Sequence, residues 1–177
     1  MGREIRMVQP GWEHPRFDER DCPSNRDIGR YRPCYDEDYE ASAKKWLEAS
    51  DLWRTGSHPD QPSGCKYYWE WAGTPDEELC RPAFTSDPTW YQLYETVSEG
   101  TPVSPPFATP EELAIYLADN GDFWYQMDQR RGRDSFRTKP TYEQAMGMID
   151  AGWMPSMMMV GGKMLEPHQI NELKDAS

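Results

Sequence analysis

Residues 95–121 read ETVSEGTPVSPPFATPEELAIYLADNG, and their punctuation decides what kind of fold the chain has. Ser98-Glu99-Gly100-Thr101 is a turn: Gly100 permits positive φ, and the hydroxyls of Ser98 and Thr101 can bond nearby backbone. Pro102, Pro105 and Pro106 then hold the chain extended, because each also restricts the residue before it. Thr109-Pro110-Glu111-Glu112 opens a helix. Thr109 caps, Pro110 suits the first helical position, and Glu112 completes a capping box. Leu113, Tyr116 and Leu117 fall at helical spacing, and Asn120-Gly121 predicts a left-handed stop. Ser98, Glu99 and Thr101 are candidates for lining a binding surface. The plainer account makes the segment a rigid connector that delivers Phe107 to a core.

The same signals recur outward from this centre. Arg3–Val8 predicts a short strand with Ile5 and Met7 facing in, but Pro10-Gly11 and the unpatterned Trp12, His14, Pro15, Phe17, Pro23 and Pro33 make residues 1–35 an irregular N-terminal arm. Residues 36–55 predict the longest helix, capped by Asp36, with Tyr39, Ala43, Trp46, Leu47, Ser50 and Trp53 on one face. Lys66–Trp71, KYYWEW, is the best strand by propensity, and Trp90–Val97 fits a second strand or a helix. Residues 122–128 fit a short helix or strand, and 129–140 read as a polar loop. Thr141 and Gln144 form a second capping box over a helix buried through Tyr142, Ala145, Met146 and Ile149, which Gly152 stops. Gly161-Gly162 between Met157–Val160 and Lys163–Leu165 predicts a β-hairpin, followed by a short helix over 167–173. The expected fold is α+β: a single compact, loop-rich domain over 36–177 with a small antiparallel sheet and about three helices.

Composition supports a folded chain of unusual make-up. Of 177 residues only 37% are hydrophobic, yet 8 Trp, 10 Tyr and 5 Phe are present. Large rings bury much area each and can build a core that aliphatic residues usually build. The formal net charge of −12 repels free nucleic acid and anionic membranes, so direct nucleic-acid binding, which needs phosphate neutralisation, is not expected. There is no apolar run of the length a membrane-spanning helix needs, and MGREIRMVQP lacks the apolar core of a signal peptide. A cytoplasmic location is the expectation.

Four constellations could carry chemistry. Cys22, Cys34, Cys65 and Cys80, with His14 and His58, have the residue types and the number for zinc, but no CxxC pair fixes two ligands on one turn. Free thiols without metal are expected, and no cofactor. Arg130, Arg131 and Arg133, with Arg137 and Lys139, form a basic island of +4 over 130–139 in a chain that otherwise sums to −16. Such arginines can seat a phosphate or carboxylate, or simply balance the protein's own acids. No Ser-His-Asp, HExxH or Walker pattern is present. Lastly, Met154, Met157, Met158 and Met159 lie close together; methionine makes adaptable surfaces, and alternate residues of a strand point to opposite sides. Core burial is the ordinary fate of such a run, with Met157 and Met159 candidates for partner contact otherwise. The acidic run Asp36, Glu37, Asp38 and Glu40 is a further candidate contact surface.

The segments WYQLYETVSEGTPVSPPFATPEELAIYLADNGDFW, TYEQAMGMIDAGWMPSMMM and REIRMVQPGWEHPR resemble a family of small, mostly uncharacterised proteins encoded by bacteriophages and prophages. They cover Arg3–Arg16, Trp90–Trp124 and Thr141–Val160, somewhat under half of the chain. The resemblance implies a phage-derived protein expressed in the host cytoplasm, and it brings no catalytic residues with it. The expectation is a non-catalytic accessory protein that binds a host or phage protein, in one version inhibiting a nucleic-acid-handling or defence enzyme through its acidic surface. The alternatives are a virion structural or assembly component and a small metal-dependent hydrolytic enzyme.

Overall fold

The structure, a computed structural model, describes residues 2–18, 20, 29–61, 64–97, 100–134, 136–166 and 168–169. Its elements run β1 (Gly2–Val8), α1 (Tyr39–Arg54), α2 (Tyr68–Ala72), β2 (Trp90–Glu95), β3 (Thr101–Pro102), α3 (Pro110–Asn120), α4 (Phe123–Arg131), α5 (Tyr142–Ala151), β4 (Trp153–Pro155), β5 (Met158–Val160) and β6 (Lys163–Leu165). The class is α+β. The division into an arm over 1–35 and a domain over 36–177 is not what forms: the chain makes two compact units, one of Met1–Pro33 with Phe84–Ser177, the other of Cys34–Ala83.

The larger unit is built on a sheet of order β3-β2-β1-β4. All its pairings are antiparallel, with Ile5 opposite Leu93 and Arg3 opposite Met154. β1 therefore lies inside the sheet rather than in an arm. One face carries Ile5, Tyr91 and Leu93 against Leu113, Ala114 and Leu117 of α3 and Ala145 and Ile149 of α5, with Val103 and Phe107. The opposite face is not left to solvent: Val8 and Tyr94 pack with Trp12, Phe84 and Trp90. Burial on both faces hides the two-residue alternation that marks a half-exposed strand. Met7, expected inside, is 37% exposed.

Caps set the helix ends. Thr109 accepts from the Glu112 amide and Pro110 opens α3, as read from sequence. The Glu112 carboxylate reaches back one residue further than a capping box, to the Ala108 amide at 3.1 Å. α3 stops at Gly121 with φ 69° and ψ −178°, a region outside the left-handed helix basin and open essentially to glycine alone. A Cβ there would also stand 2.5 Å from the ring of Tyr125. Thr109→Ala should cost about 1 kcal/mol and Gly121→Val about 2 kcal/mol, read as shifts in the denaturant midpoint; two variants that melt with the parent would refute this account of α3. The Thr141–Gln144 capping box forms, and Gly152 ends α5 in the left-handed conformation. α5 buries Ala145, Met148 and Ile149, whereas Tyr142 is exposed.

α4 covers residues 123–131, so the segment after Gly121 is helical and the supposed loop begins only at its C-cap Gly132. The glycines Gly161 (φ 57°) and Gly162 (φ 80°) make the tight turn of the β5–β6 hairpin, whose register pairs Met159 with Met164. The helix expected over 167–173 falls mostly outside the described residues.

The unit Cys34–Ala83 is an aromatic two-helix structure. Asp38, not Asp36, caps α1, accepting from the Ala41 amide at 2.9 Å. Of the face expected to be buried, Trp53 is, while Leu47 and Tyr39 are exposed. KYYWEW does not form a strand. Glu70 folds back onto the amides of Lys66 and Tyr67 at 3.0 Å, and helical spacing brings both Tyr68 and Trp71 onto Trp53. Packing on one tryptophan overrides the local strand preference.

Candidate functional site

The acidic run is partly consumed by the fold. Asp38 spends one oxygen on the α1 cap and faces Arg81 at 3.7 Å. Glu37 pairs with Lys45 across the side of a groove lined by Trp46, Tyr68 and Asp76. Asp36 and Glu40 remain exposed. The run is thus a helix start first and a surface second. In the central turn, Ser98 and Glu99 lie outside the described residues. Thr101 is buried in β3 opposite Glu95, so it is a sheet residue and not a contact for a partner.

The thiols are dispersed. Cys34 and Cys80 are buried, Cys65 is partly covered, and Cys22 lies outside the described residues. Burial, aided by Asp76, Asp38 and Glu37, pushes the Cys80 thiol up against the opposing pull of Ser42, which holds it away from the thiolate that binds metal or attacks a carbon. Among the described residues no group of three His, Cys, Asp or Glu side chains is placed to share a metal ion. His58 packs on Trp53 and Tyr68 as a core ring.

Two buried polar networks carry the charge and hydrogen-bond chemistry that the sequence does not announce. On the aromatic face of the sheet, Trp12 Nε1 donates to Tyr94 Oη at 3.1 Å, and Tyr94 Oη lies 2.9 Å from Gln92 Oε1. His14 Nδ1 lies 3.1 Å from the same hydroxyl and Nε2 lies 2.7 Å from the Arg32 carbonyl. A carbonyl only accepts, so Nε2 carries the proton and the neutral ring presents Nδ1 as an acceptor. Arg6 covers the Tyr94 ring at 4.5 Å. Burial lowers the His14 pKa to about 4; its bond to Arg32 opposes this, and Arg6 and Arg16 add to it. Behind β1, Arg3 meets Asp122 at 2.6 Å and Glu166 at 3.1 Å. Glu166 also accepts from the Thr138 amide at 2.9 Å, and Thr138 Oγ1 bonds His168 Nε2 at 2.8 Å. These groups are too enclosed to meet a substrate. They fix the C-terminal segment and the start of α4 to the sheet. Nothing in the spacing of residues 3, 122 and 166 could have revealed the cluster.

The basic island divides. Arg130 and Arg131 sit on the last turn of α4, where cations complement the helix dipole. Both line a groove of about 420 Å³ with Gly29, Tyr31, Phe123, Gln126 and Met127. Arg133 lies past the Gly132 cap, its amide bonded to the Asp128 carbonyl at 3.0 Å, and does not line the groove. Arg137 pairs with Asp128 at 3.1 Å.

The methionine hairpin departs furthest from the ordinary expectation of core burial. Met157 is half-buried, but Met158, Val160 and Met164 are exposed and Met159 is 72% exposed. Trp153, on the edge strand β4, is 52% exposed. Both sides of this two-stranded sheet meet solvent, and an isolated hairpin of this kind is marginal without cover. No helix among the described residues is long and apolar enough to cross a membrane. Comparison of the chain with protein-family models, with curated proteins and with solved structures returns no match.

Proposed function

We propose that the chain is a non-catalytic, phage-encoded accessory protein that binds a host or phage protein, and that the β5–β6 hairpin is its principal contact. The observation that carries this is the exposure of Met158, Met159, Val160 and Met164 on the hairpin, with Trp153 exposed on the preceding strand β4. Met159 and Met164 stand opposite one another on one side of the hairpin; exposed apolar pairs of that kind fit an interaction site better than a solvent-facing one, and methionines repack readily against a partner. The formal charge of −12 selects the occupant. A second copy carries the same charge and is repelled, whereas a protein with a basic surface, as enzymes that handle nucleic acid present, is drawn in. Asp36 and Glu40 are the exposed part of the acidic run that contributes to that attraction.

The test uses a partner isolated by cross-linking to the parent protein in infected cells and then purified. Met159→Asp/Met164→Asp should weaken binding by about tenfold or more, chiefly through faster dissociation, while leaving the melting temperature close to the parent's because both side chains are exposed. Association should slow with added salt. Unchanged affinity for the double variant would remove the hairpin from the interface, and a salt-indifferent association rate would remove the electrostatic part of the reading.

A further inference from the structure

We propose that the groove over the outer face of α4 binds a mononucleotide, with the base against the aromatic pair and the phosphate on Arg130 and Arg131. Phe123, Gln126, Met127, Arg130 and Arg131 are spaced as i, i+3, i+4, i+7 and i+8. They form one stripe of the helix, apolar at its start and cationic at its end. Phe123 and Arg130 are about 10 Å apart along the axis at 1.5 Å per residue, the reach from a base through a ribose to a phosphate. The inner face of the same helix is committed elsewhere: Trp124 bonds Glu95 and Asp128 bonds Arg137. The outer stripe instead lines the groove, with Phe123 against Tyr31 and Gln126 bonded to Tyr116.

The aromatic end of the groove is built rather than incidental. The Tyr31 ring lies parallel to Phe123, with centroids 6.4 Å apart and planes within 5°. Its position is set by the edge of His14 and by Arg16, whose guanidinium sits 4.9 Å from the ring centroid. Gly29 leaves the space for it, since a Cβ there would stand 2.2 Å from the Tyr31 ring. The next residue, Arg30, holds φ 54°, an uncommon conformation for a side chain of its size. Gln126 lies between the two ends: its amide donates to Tyr116 Oη at 2.8 Å and to the Gly121 carbonyl at 3.2 Å, so the carbonyl oxygen is the group it can offer a ligand as an acceptor.

Dipole complementarity alone accounts for basic residues at a helix end, but not for their alignment with a parallel aromatic pair in one groove. The C-terminal dipole opposes an anion with roughly half a charge, against two guanidinium charges with fork geometry suited to phosphate. The groove's volume is within the range of small-molecule sites. A polynucleotide is disfavoured because its many phosphates meet the chain's net negative charge, while a mononucleotide brings its phosphate only to the basic end. This site is independent of the hairpin contact.

The experiment is a titration of the full chain with AMP, GMP, CMP and UMP by calorimetry, with adenosine, inorganic phosphate and a short single-stranded oligonucleotide as separate arms. At least one mononucleotide should bind saturably, with adenosine and phosphate each about tenfold weaker or more, and affinity falling as salt rises. Arg130→Gln/Arg131→Gln should lose about tenfold in affinity, with only the small fall in melting temperature that losing two helix-end cations brings. The proposal is overturned if no mononucleotide binds at millimolar concentration or if the double variant binds as the parent does. It is likewise overturned if inorganic phosphate binds as tightly as the nucleotide, which would make this a bare anion site, or if the oligonucleotide binds more tightly.

Discussion

Arg3→Met is expected to cost about 3–5 kcal/mol of stability at neutral pH, the range for removing one partner from a buried ionic cluster. The side chains of Arg3, Asp122 and Glu166 are each 5% exposed or less. Burial opposes the charge on Arg3, but Asp122, Glu166 and Glu95 outweigh it and hold the guanidinium more firmly protonated. Without that cation two enclosed carboxylates face one another. Burial already raises the Glu166 carboxyl against the pull of Arg3 and the Thr138 amide, so losing Arg3 raises it further. The sign follows: a carboxyl with a raised folded-state pKa is most favourable at low pH, and its contribution is lost as pH rises through that value. The deficit of Arg3→Met should therefore shrink on acidification. Arg3→Met/Asp122→Asn/Glu166→Gln should be less destabilised than Arg3→Met alone. Urea unfolding at several pH values checks both, and a single variant costing under about 1 kcal/mol at every pH would show that the cluster is not a structural tie.

The second large effect is a pH dependence with the opposite sign. His14 has a folded-state pKa of about 4 against about 6.5 when unfolded. The ring is held neutral, so the stability it contributes is present above pH 6.5 and is lost as pH falls through the window down to 4. The unfolded chain binds the extra proton there, and the full effect is about 3 kcal/mol at 1.36 kcal/mol per unit. His14→Gln removes the titrating group. It should lower stability at pH 7 by breaking the bonds to Tyr94 and Arg32, yet flatten the slope between pH 6.5 and 4. A slope equal to the parent's would place the acid sensitivity elsewhere, with the carboxylates.

What was legible in the sequence was local chemistry. Thr109-Pro110 and Thr141–Gln144 announce helices because a cap needs only residues three apart. Gly161-Gly162 announces a hairpin because the turn demands positive φ. What was not legible depends on residues distant in the chain. Residues 1–35 read as an arm because β1, inside the sheet, is covered on both faces and the aromatic cover, Trp12 and His14, shows no period. KYYWEW read as a strand because the aromatic preference is local, whereas Trp53, which selects the helix, is remote. The Arg3–Asp122–Glu166 cluster spans 163 residues. For the candidate surfaces, the residue types of the hairpin and the basic island were visible, but their fates were not. Sequence could not tell that Met159 faces solvent, that Arg130 and Arg131 share a groove with Tyr31 and Phe123 while Arg133 does not, or that Thr101 is buried.

The central claim, that this protein works by docking its methionine hairpin onto a basic partner, is met most directly by amide hydrogen exchange on the complex. Measured with and without the purified partner, exchange should slow across residues 158–165, and the protection should be absent in the Met159→Asp/Met164→Asp variant. Protection confined to the α1 start around Asp36–Glu40, with the hairpin exchanging as it does in the free protein, would contradict it.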